Sequence, residues 1–341
     1  MPGPVLLAAI IAAAGVIACL GTRALIPLLR GAAVLDHPNE RSSHEAPTPR
    51  GGGIALLAAI LVAWLALIAA GAAAPLLLVV LFGAVLLAAV SWVDDLRGLS
   101  PAMRLLAQCV AVGLALGMVA LIGAPILSRG WLPQWLDAVA AGLLWLWFLN
   151  LFNFMDGIDG LAGSEAAAIG IGLVLFASFG IGYDPVVAAL AAAIAAAALG
   201  FLVWNWAPAR IFLGDIGSVP LGYLLGFLLL GAAAEGHWKI ALILPLYFLT
   251  DATVTLARRL ARGEPVWQAH RQHFYQRAVQ RGLGHEAVVR RVIAADLLLI
   301  ACGWAAENGW AIAGLAAAAV VLALLVSLAG GRRHSPARFP P

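Results

Sequence analysis

The chain has 341 residues and a formal charge of +3; 63% of its residues are hydrophobic and only 11% are charged. A soluble domain carries about 25% charged residues, so a soluble protein is excluded, and no nucleic-acid partner is expected. The three cysteines, Cys19, Cys109 and Cys302, all fall in apolar runs, with no metal or disulfide spacing, and read as small core residues.

Apolar runs of about 20 residues, enough for a helix to cross a hydrocarbon core of roughly 30 Å, recur along the whole chain. They predict an all-α, polytopic membrane protein of eleven spans: 5–29, 52–70, 75–93, 102–123, 136–154, 165–181, 186–206, 219–234, 240–256, 292–305 and 310–328. The first run lacks a basic leader and a cleavage signal and reads as a retained span, not a signal peptide. The tenth, short and interrupted by Asp296, carries the weakest signal. Basic residues favour the cytoplasmic side. An outside N-terminus leaves only Arg129 and Lys239, of the 20 basic residues, on the outer face. The cytoplasmic segments are then 30–51, 94–101, 155–164, 207–218, 257–291 and the tail after 330. Outside, Trp131 and Trp135 suit an interfacial belt. The ionisable residues gather on one face, which predicts one-sided chemistry. No inverted pair of interrupted helices, the mark of a midplane transport site, is visible.

The first cytoplasmic loop runs Asp36-His37-Pro38-Asn39-Glu40-Arg41-Ser42-Ser43-His44 and then Pro47-Thr48-Pro49-Arg50-Gly51-Gly52-Gly53 into a span. Glycine amides at a helix start beside Arg50 would suit a phosphate; a flexible turn is the plainer reading. The third span ends in Asp94-Asp95, a pair suited to metal and base roles or to a solvated helix end.

The fifth span ends with Asn150, Asn153, Asp156 and Asp159, each three apart. On a helix, neighbours in that row share a face, and Gly157 and Gly160 would break the helix and tighten the fan. Acids near a bilayer centre cost about 2.5 to 3.5 kcal/mol each on insertion scales, which argues against a lipid-facing surface. Asn205 closes the seventh span. Phe212-Leu213-Gly214-Asp215 opens the eighth, where Asp215 can cap the helix or bind a metal. Phe212 suits a nucleobase stack or a lipid anchor equally.

The longest cytoplasmic segment holds eight arginines and the run His270-Arg271-Gln272-His273-Phe274-Tyr275-Gln276. Arg258, Arg259, Arg290 and Arg291 read as topology-setting surface charge. His270, Arg271 and His273 offer donors to a pyrophosphate, and no further ligands complete a zinc site. Asp251 can pair with Arg258 or Arg259 or join the site. Together, an anion site, several acids suited to Mg²⁺ and a His-Arg cluster on one face describe phosphoryl transfer from a nucleotide donor to a lipid phosphate.

From Asp36 to His285 the blocks Asp94-Asp95, Asn153-x-x-Asp156-Gly157-x-Asp159-Gly160, Phe212-Leu213-Gly214-Asp215 and His270-x-x-His273 resemble those of the polyprenyl-phosphate N-acetylhexosamine-1-phosphate transferases, a glycosyltransferase family 4 type superfamily. The resemblance implies a single membrane catalytic domain over 1–341, with a motif-bearing core at 30–291 and C-terminal helices and tail at 292–341. It implies a multi-pass enzyme of the bacterial inner membrane that uses a UDP-N-acetylhexosamine and undecaprenyl phosphate, releases UMP and needs Mg²⁺, with Mn²⁺ as a substitute. It leaves a homodimer open. By motif, Asp94 resembles the acid that deprotonates or positions the lipid phosphate, and Asp215 the Mg²⁺ ligand. Asp95, Asp156 and Asp159 resemble further site acids. Asn205 and Phe212 fall in the uridine pocket, and His270, Arg271 and His273 in the loop that touches the sugar phosphate. The peptidoglycan branch has consecutive histidines there. The departure points to the branch that starts O-antigen or capsule-type glycans, with UDP-GlcNAc or a 6-deoxy relative such as UDP-FucNAc or UDP-QuiNAc as donor. A phospho-MurNAc-pentapeptide transferase is the alternative within the family, and a lipid-linked or nucleotide-sugar transporter the alternative outside it.

Overall fold

A computed structural model describes residues 3–36, 46–74, 77–124, 126–128, 130–178, 184–265, 268 and 270–330. His37 to His44 of the first loop and Arg129 lie outside them. The described chain is mainly helical: α1 (Pro4–Gly31), α2 (Gly53–Ala69), α3 (Leu77–Arg97), α4 (Pro101–Leu121), α5 (Gln134–Phe154), α6 (Leu161–Ser178), α7 (Pro185–Asn205), α8 (Asp215–Ala234), α9 (Trp238–Ile243), α10 (Leu246–Ala261), α11 (Phe274–Gln280), α12 (His285–Glu307) and α13 (Ala313–Ala329). Two short antiparallel strands, β1 (Leu35–Asp36) and β2 (Thr48–Pro49), close the first loop.

Each of the eleven expected spans falls on helix. Among the described residues, seven helices are long and apolar enough to cross a membrane, and α2 and α13 are shorter apolar helices. Two expectations are corrected. The ninth span is two helices, because Pro245 has no N–H to continue the ladder and the chain breaks between Ile243 and Leu246. The tenth begins at His285, not Val292: its first two turns are charged, which hides them from a hydropathy window but not from the backbone.

The bundle is organised around α8, which packs against α3, α5, α9 and the start of α2 and is the most enclosed span. It can be surrounded closely because it is rich in glycine and apolar side chains. Trp145 of α5 stacks on Tyr223 of α8 at 4.7 Å between ring centroids and donates its indole N–H to the Tyr223 carbonyl at 2.8 Å. Tyr223 in turn donates to the Ala111 carbonyl of α4. In a bilayer the backbone carbonyls of packed helices are the partners such polar tips can find. The starts of α2 and α8 cross with no room for a side chain, since a Cβ on Gly53 would collide with the backbone of Gly217.

Beside that crossing, the ends of α3, α5 and α7 and the starts of α6, α8 and α12 lie on the same face of the bundle, joined by side-chain contacts. Trp131 and Trp135, expected at an interface, are exposed beyond the other face. The cysteines are free, but none is fully enclosed: Cys109 is exposed, and Cys19 and Cys302 are half-buried, so the core reading is corrected. They lie on helix faces turned at least partly outward.

Candidate active site

Asp95, on the last turn of α3, and Asp215, the first residue of α8, meet at Arg50. The guanidinium reaches Asp95 Oδ1 at 2.7 Å and Asp215 Oδ1 at 2.9 Å. Asn153, on the last turn of α5, donates to Asp215 Oδ1 at 3.2 Å and to Ser218 Oγ at 2.8 Å. Asp156 follows in the turn after α5. Desolvation, then the charge of Asp215, pushes its carboxyl well above the usual range, against the pull of Arg50. Three acids, an amide and one cation from four separate chain segments thus form one polar centre.

The glycine run is not an anion cradle. Gly51 and Gly52 donate their N–H groups to the Phe212 carbonyl, and Gly53 donates to Leu213. Those amides join the first loop to the loop before α8, and the glycines serve close approach. Arg50 remains as the charged group of that segment. Asp215 does not cap its own helix; its carboxylate is turned to Arg50 and Asn153.

The expected fan of four side chains is split where α5 ends at Phe154, the residue at which the fifth span was expected to end. Asn150 points away to exchange amide hydrogen bonds with Gln108 of α4. Asn153 and Asp156 join the centre. Asp159 lies to one side, where its carboxylate accepts from the Ala209 N–H at 3.0 Å and sits 3.3 Å from His285 Nδ1. Beside it, buried Asn205 accepts from the Gly160 N–H and donates to the Ile211 carbonyl, so its amide clamps two loops together. Phe212, half-buried, is held through its backbone to Pro49, Gly51 and Gly52.

Asp94 faces the other side of α3. It accepts from the Leu99 N–H at 2.6 Å and pairs with Arg104 at 3.1 Å. Both line a groove of about 580 Å³ that runs between α3, α4 and α5, walled by Leu87, Val90, Leu105, Leu143, Leu146 and Trp147 and ending at Asn153 and Asp215. An apolar channel open along helix faces and closed by charge at one end suits a ligand with a hydrocarbon tail and an anionic head.

The histidine run forms a separate turn. His270 and His273 lie with ring centroids 4.8 Å apart. His270 is held down to a pKa of about 4 by burial, then by His273 and Arg259. His273 is the N-cap of α11, and the turn meets the acid centre through Tyr275, whose hydroxyl donates to the Phe154 carbonyl at 2.9 Å. Arg259, expected on the surface, is buried instead. It bonds Glu264 and the carbonyls of Pro265 and Gln268, because a loop leaving the bundle needs its carbonyls satisfied. Arg258 lies over the Phe274 ring at 5.1 Å. The backbone carbonyl of Arg271 accepts from Gln280.

Arg104, Ser218, His285, Asp251 and Tyr275 complete these clusters and were not among the candidates read as catalytic or substrate-binding. Arg104, in the first turn of α4 and ten residues after Asp94, carried the clearest signal, a basic residue at the start of an apolar run.

Among the described residues, no group of three or more His, Cys, Asp or Glu forms an all-protein metal cage. Mg²⁺ does not need one, since it commonly takes one or two carboxylates and completes its shell with phosphates and water. Asp215 Oδ2 and the Asp156 carboxylate accept no hydrogen bond among the described residues, so this donor set fits Mg²⁺.

Residues 77–233 match the family model described as glycosyl transferase family 4. Three curated relatives extend the match. The probable undecaprenyl-phosphate N-acetylglucosaminyl 1-phosphate transferase of Bacillus subtilis is 27% identical over 82% of this chain and 80% of its own length. The phospho-N-acetylmuramoyl-pentapeptide-transferase of Synechococcus elongatus is 30% identical over 82% of each chain. The decaprenyl-phosphate N-acetylglucosaminephosphotransferase of Mycolicibacterium smegmatis is 28% identical over 74% of this chain and 70% of its own. With the motif blocks meeting on one face of an all-helical membrane bundle, the chain belongs to glycosyl transferase family 4, in the superfamily of polyprenyl-phosphate N-acetylhexosamine-1-phosphate transferases.

Proposed function

We propose that the protein transfers an N-acetylhexosamine 1-phosphate from a UDP-sugar to undecaprenyl phosphate and releases UMP, on the cytoplasmic face of the bacterial inner membrane. The observation that carries this reading is the apolar groove that ends at Asp94, Arg104, Asn153 and Asp215. A polyprenyl chain fills the groove, and its phosphate lies at the charged end within reach of Arg104, which Asp94 orients.

An acceptor phosphate oxygen attacks the sugar-bearing phosphorus of the donor. The new P–O bond forms as the anhydride bond to UMP breaks, and UMP leaves with the bridging oxygen. This chain's residues supply position and charge. Arg50 neutralises the crowded carboxylates and offers its remaining N–H groups to the diphosphate. Asn153 fixes the Asp215 carboxylate. Asp215, with Asp156, would hold Mg²⁺, which when bound offsets negative charge on the donor diphosphate. Asp159, Asn205 and Phe212 form the wall against which the nucleoside rests, and His270, Arg271 and His273 face the sugar phosphate. Asp95, locked to Arg50, keeps that guanidinium in place.

For the donor, the stretch His270-Arg271-Gln272-His273 favours UDP-GlcNAc or a 6-deoxy-N-acetylhexosamine over UDP-MurNAc-pentapeptide, and an O-antigen or capsule-type glycan as the destination. Purified protein in detergent, given undecaprenyl phosphate, Mg²⁺ and a panel of UDP-sugars, tests the reading through UMP release and the mass of the lipid product. A matching lipid-diphosphate sugar, lost with EDTA and in Asp215→Ala, supports it; silence across the panel from folded protein sinks it. Product only from UDP-MurNAc-pentapeptide would keep the chemistry and overturn the donor assignment.

A further inference from the structure

Asp251 lies on α10 with none of its surface exposed, outside the acid centre and with no role in the chemistry above. Five groups converge on its carboxylate. Oδ1 lies 3.2 Å from His273 Nδ1, 3.0 Å from the Phe274 N–H nitrogen and 3.2 Å from Thr255 Oγ1. Oδ2 lies 3.3 Å from Tyr247 Oη and 3.4 Å from the Tyr275 N–H nitrogen. A carboxylate can only accept, so its bond to the imidazole exists only when the ring proton is on Nδ1.

The way α11 begins makes this contact specific. A helix start normally has its N-cap side chain folded back onto the first amides, a role for Ser, Thr, Asp or Asn. Here the N-cap is His273, and the amides of Phe274 and Tyr275 are satisfied from outside by Asp251. A capping box between His273 and Gln276 is closed as well, and the imidazole keeps Nδ1 3.2 Å from the Asp251 carboxylate, a charged partner that outweighs a neutral amide. Tyr275, nearly parallel at 5.7 Å, and His270, tilted at 4.8 Å, flank the ring.

We infer that Asp251 is a positioning residue for the transfer reaction: it holds His273 in the Nδ1–H tautomer, so that Nε2 is the atom presented to the sugar phosphate. The inference rests on the reading under Proposed function. It uses the logic of a carboxylate behind a catalytic imidazole, where losing the correct tautomer costs far more than losing the hydrogen bond itself.

A double-mutant cycle separates this from simple support of α11. In the wild-type background, Asp251→Ala lowers kcat about 100-fold while the donor KM stays within about threefold. In a His273→Gln background, the same change costs less than about threefold, because the group it positions is gone. Asp251→Asn, which still offers an acceptor at the Oδ1 position, falls between wild type and Asp251→Ala. An equal loss in both backgrounds, or a loss carried by KM, would make Asp251 a structural residue and overturn the inference.

Imidazole ¹⁵N spectra of histidine-labelled protein add a readout that needs no turnover, with His273 assigned by its absence from His273→Gln. The expected state is protonated Nδ1, lost in Asp251→Ala; an Nε2–H tautomer in the wild type overturns the inference. A wild type that shows the expected tautomer but no UMP release with any donor would refute the proposed reaction, not the Asp251–His273 pairing.

Discussion

Arg50 and Asp215 are separated by 165 positions in the chain and joined by a hydrogen bond of 2.9 Å. The same guanidinium holds Asp95 at 2.7 Å, so one cation separates two carboxylates that would otherwise repel each other. Arg50→Gln removes that cation. On the proposed reaction, Mg²⁺ would then meet a more negative centre, so half-maximal activation is expected at lower Mg²⁺, and kcat is expected to fall at least about tenfold because the donor diphosphate would lose its charged partner. Arg50→Lys recovers activity only in part: one nitrogen, Nη2, makes both contacts, which an ammonium can copy, but the remaining guanidinium N–H groups are lost. Mg²⁺ titrations of UMP release decide the point; an unchanged or raised Mg²⁺ requirement in Arg50→Gln would contradict this account of the centre.

Gly157 lies directly beneath Tyr275. A Cβ there would run into the tyrosine hydroxyl and come within 3.1 Å of Gln276 Nε2. Gly157→Ala therefore pushes α11 away from the acid turn and lowers activity at least about tenfold with little change in expression, as misplacement near a reacting centre does. Tyr275→Phe removes the clashing oxygen at the expense of its bond to Phe154. The double variant is expected to be more active than Gly157→Ala alone. A double variant no better than the single would show that the glycine serves the turn's own backbone and not the docking of α11.

These two relationships differ in how far the sequence exposes them. Spans were legible because apolar length alone dictates a crossing helix, and the acids were legible because each stands at the end of such a run. What each acid touches was not. Asp251 was expected to join the site or to meet Arg258 or Arg259; it meets His273, while Arg259 turns to loop carbonyls. The row Asn150, Asn153, Asp156 and Asp159 was expected as a fan tightened by a break at Gly157 and Gly160; the helix stops already at Phe154, and its members go to three neighbours. Side-chain direction at a helix end depends on the last residue in helical geometry, and an error of one turn re-aims every group beyond it. The Gly53–Gly217 crossing was hidden for a related reason: glycine run and helix start look alike whether they bind an anion or pack against backbone.

His270 carries the pH prediction. Its folded-state pKa of about 4 lies below the unfolded value near 6.5. Between these values the unfolded chain binds more protons, so stability falls as pH drops through that window and levels off below about 4. At neutral pH the imidazole is uncharged. Thermal midpoints in detergent, compared between wild type and His270→Gln from pH 4 to 7, are expected to diverge at the acid end, with wild type the more acid-sensitive. Parallel curves would show that His270 titrates normally.

Glu165 of α6 and Asp296 of α12 face one another inside the bundle, and among the described residues no other side chain or backbone N–H donates to their carboxyl oxygens. Two ionised carboxylates would only accept, so the pair bonds to itself only when one of them carries a proton. Glu165→Gln or Asp296→Asn introduces an N–H donor and is expected to hold or raise the thermal midpoint. Glu165→Leu leaves Asp296 alone among apolar side chains and lowers stability by about 1–3 kcal/mol. Detergent melting curves test the order; an amide variant as unstable as Glu165→Leu would mean that both carboxyls are needed as acids.

Arg104 gives the most direct check on the groove. Its guanidinium is held 3.1 Å from Asp94 at the charged end of the channel. If it binds the acceptor phosphate, Arg104→Ala raises KM for the lipid at least about tenfold, the scale of a lost charge-assisted bond, and leaves donor KM within about twofold. Asp94→Asn is milder on the same parameter, because it loosens the arginine without removing it. Leu105→Trp, which fills the groove wall and touches no polar group of the centre, raises lipid KM and spares donor KM. The effect grows with prenyl chain length, because longer tails occupy more of the channel. Initial rates with a short-chain and a full-length polyprenyl phosphate separate the two sites: Arg104→Ala affects both acceptors equally, whereas Leu105→Trp discriminates between them. Equal effects of both variants on donor KM would place the nucleotide, not the lipid, in this groove.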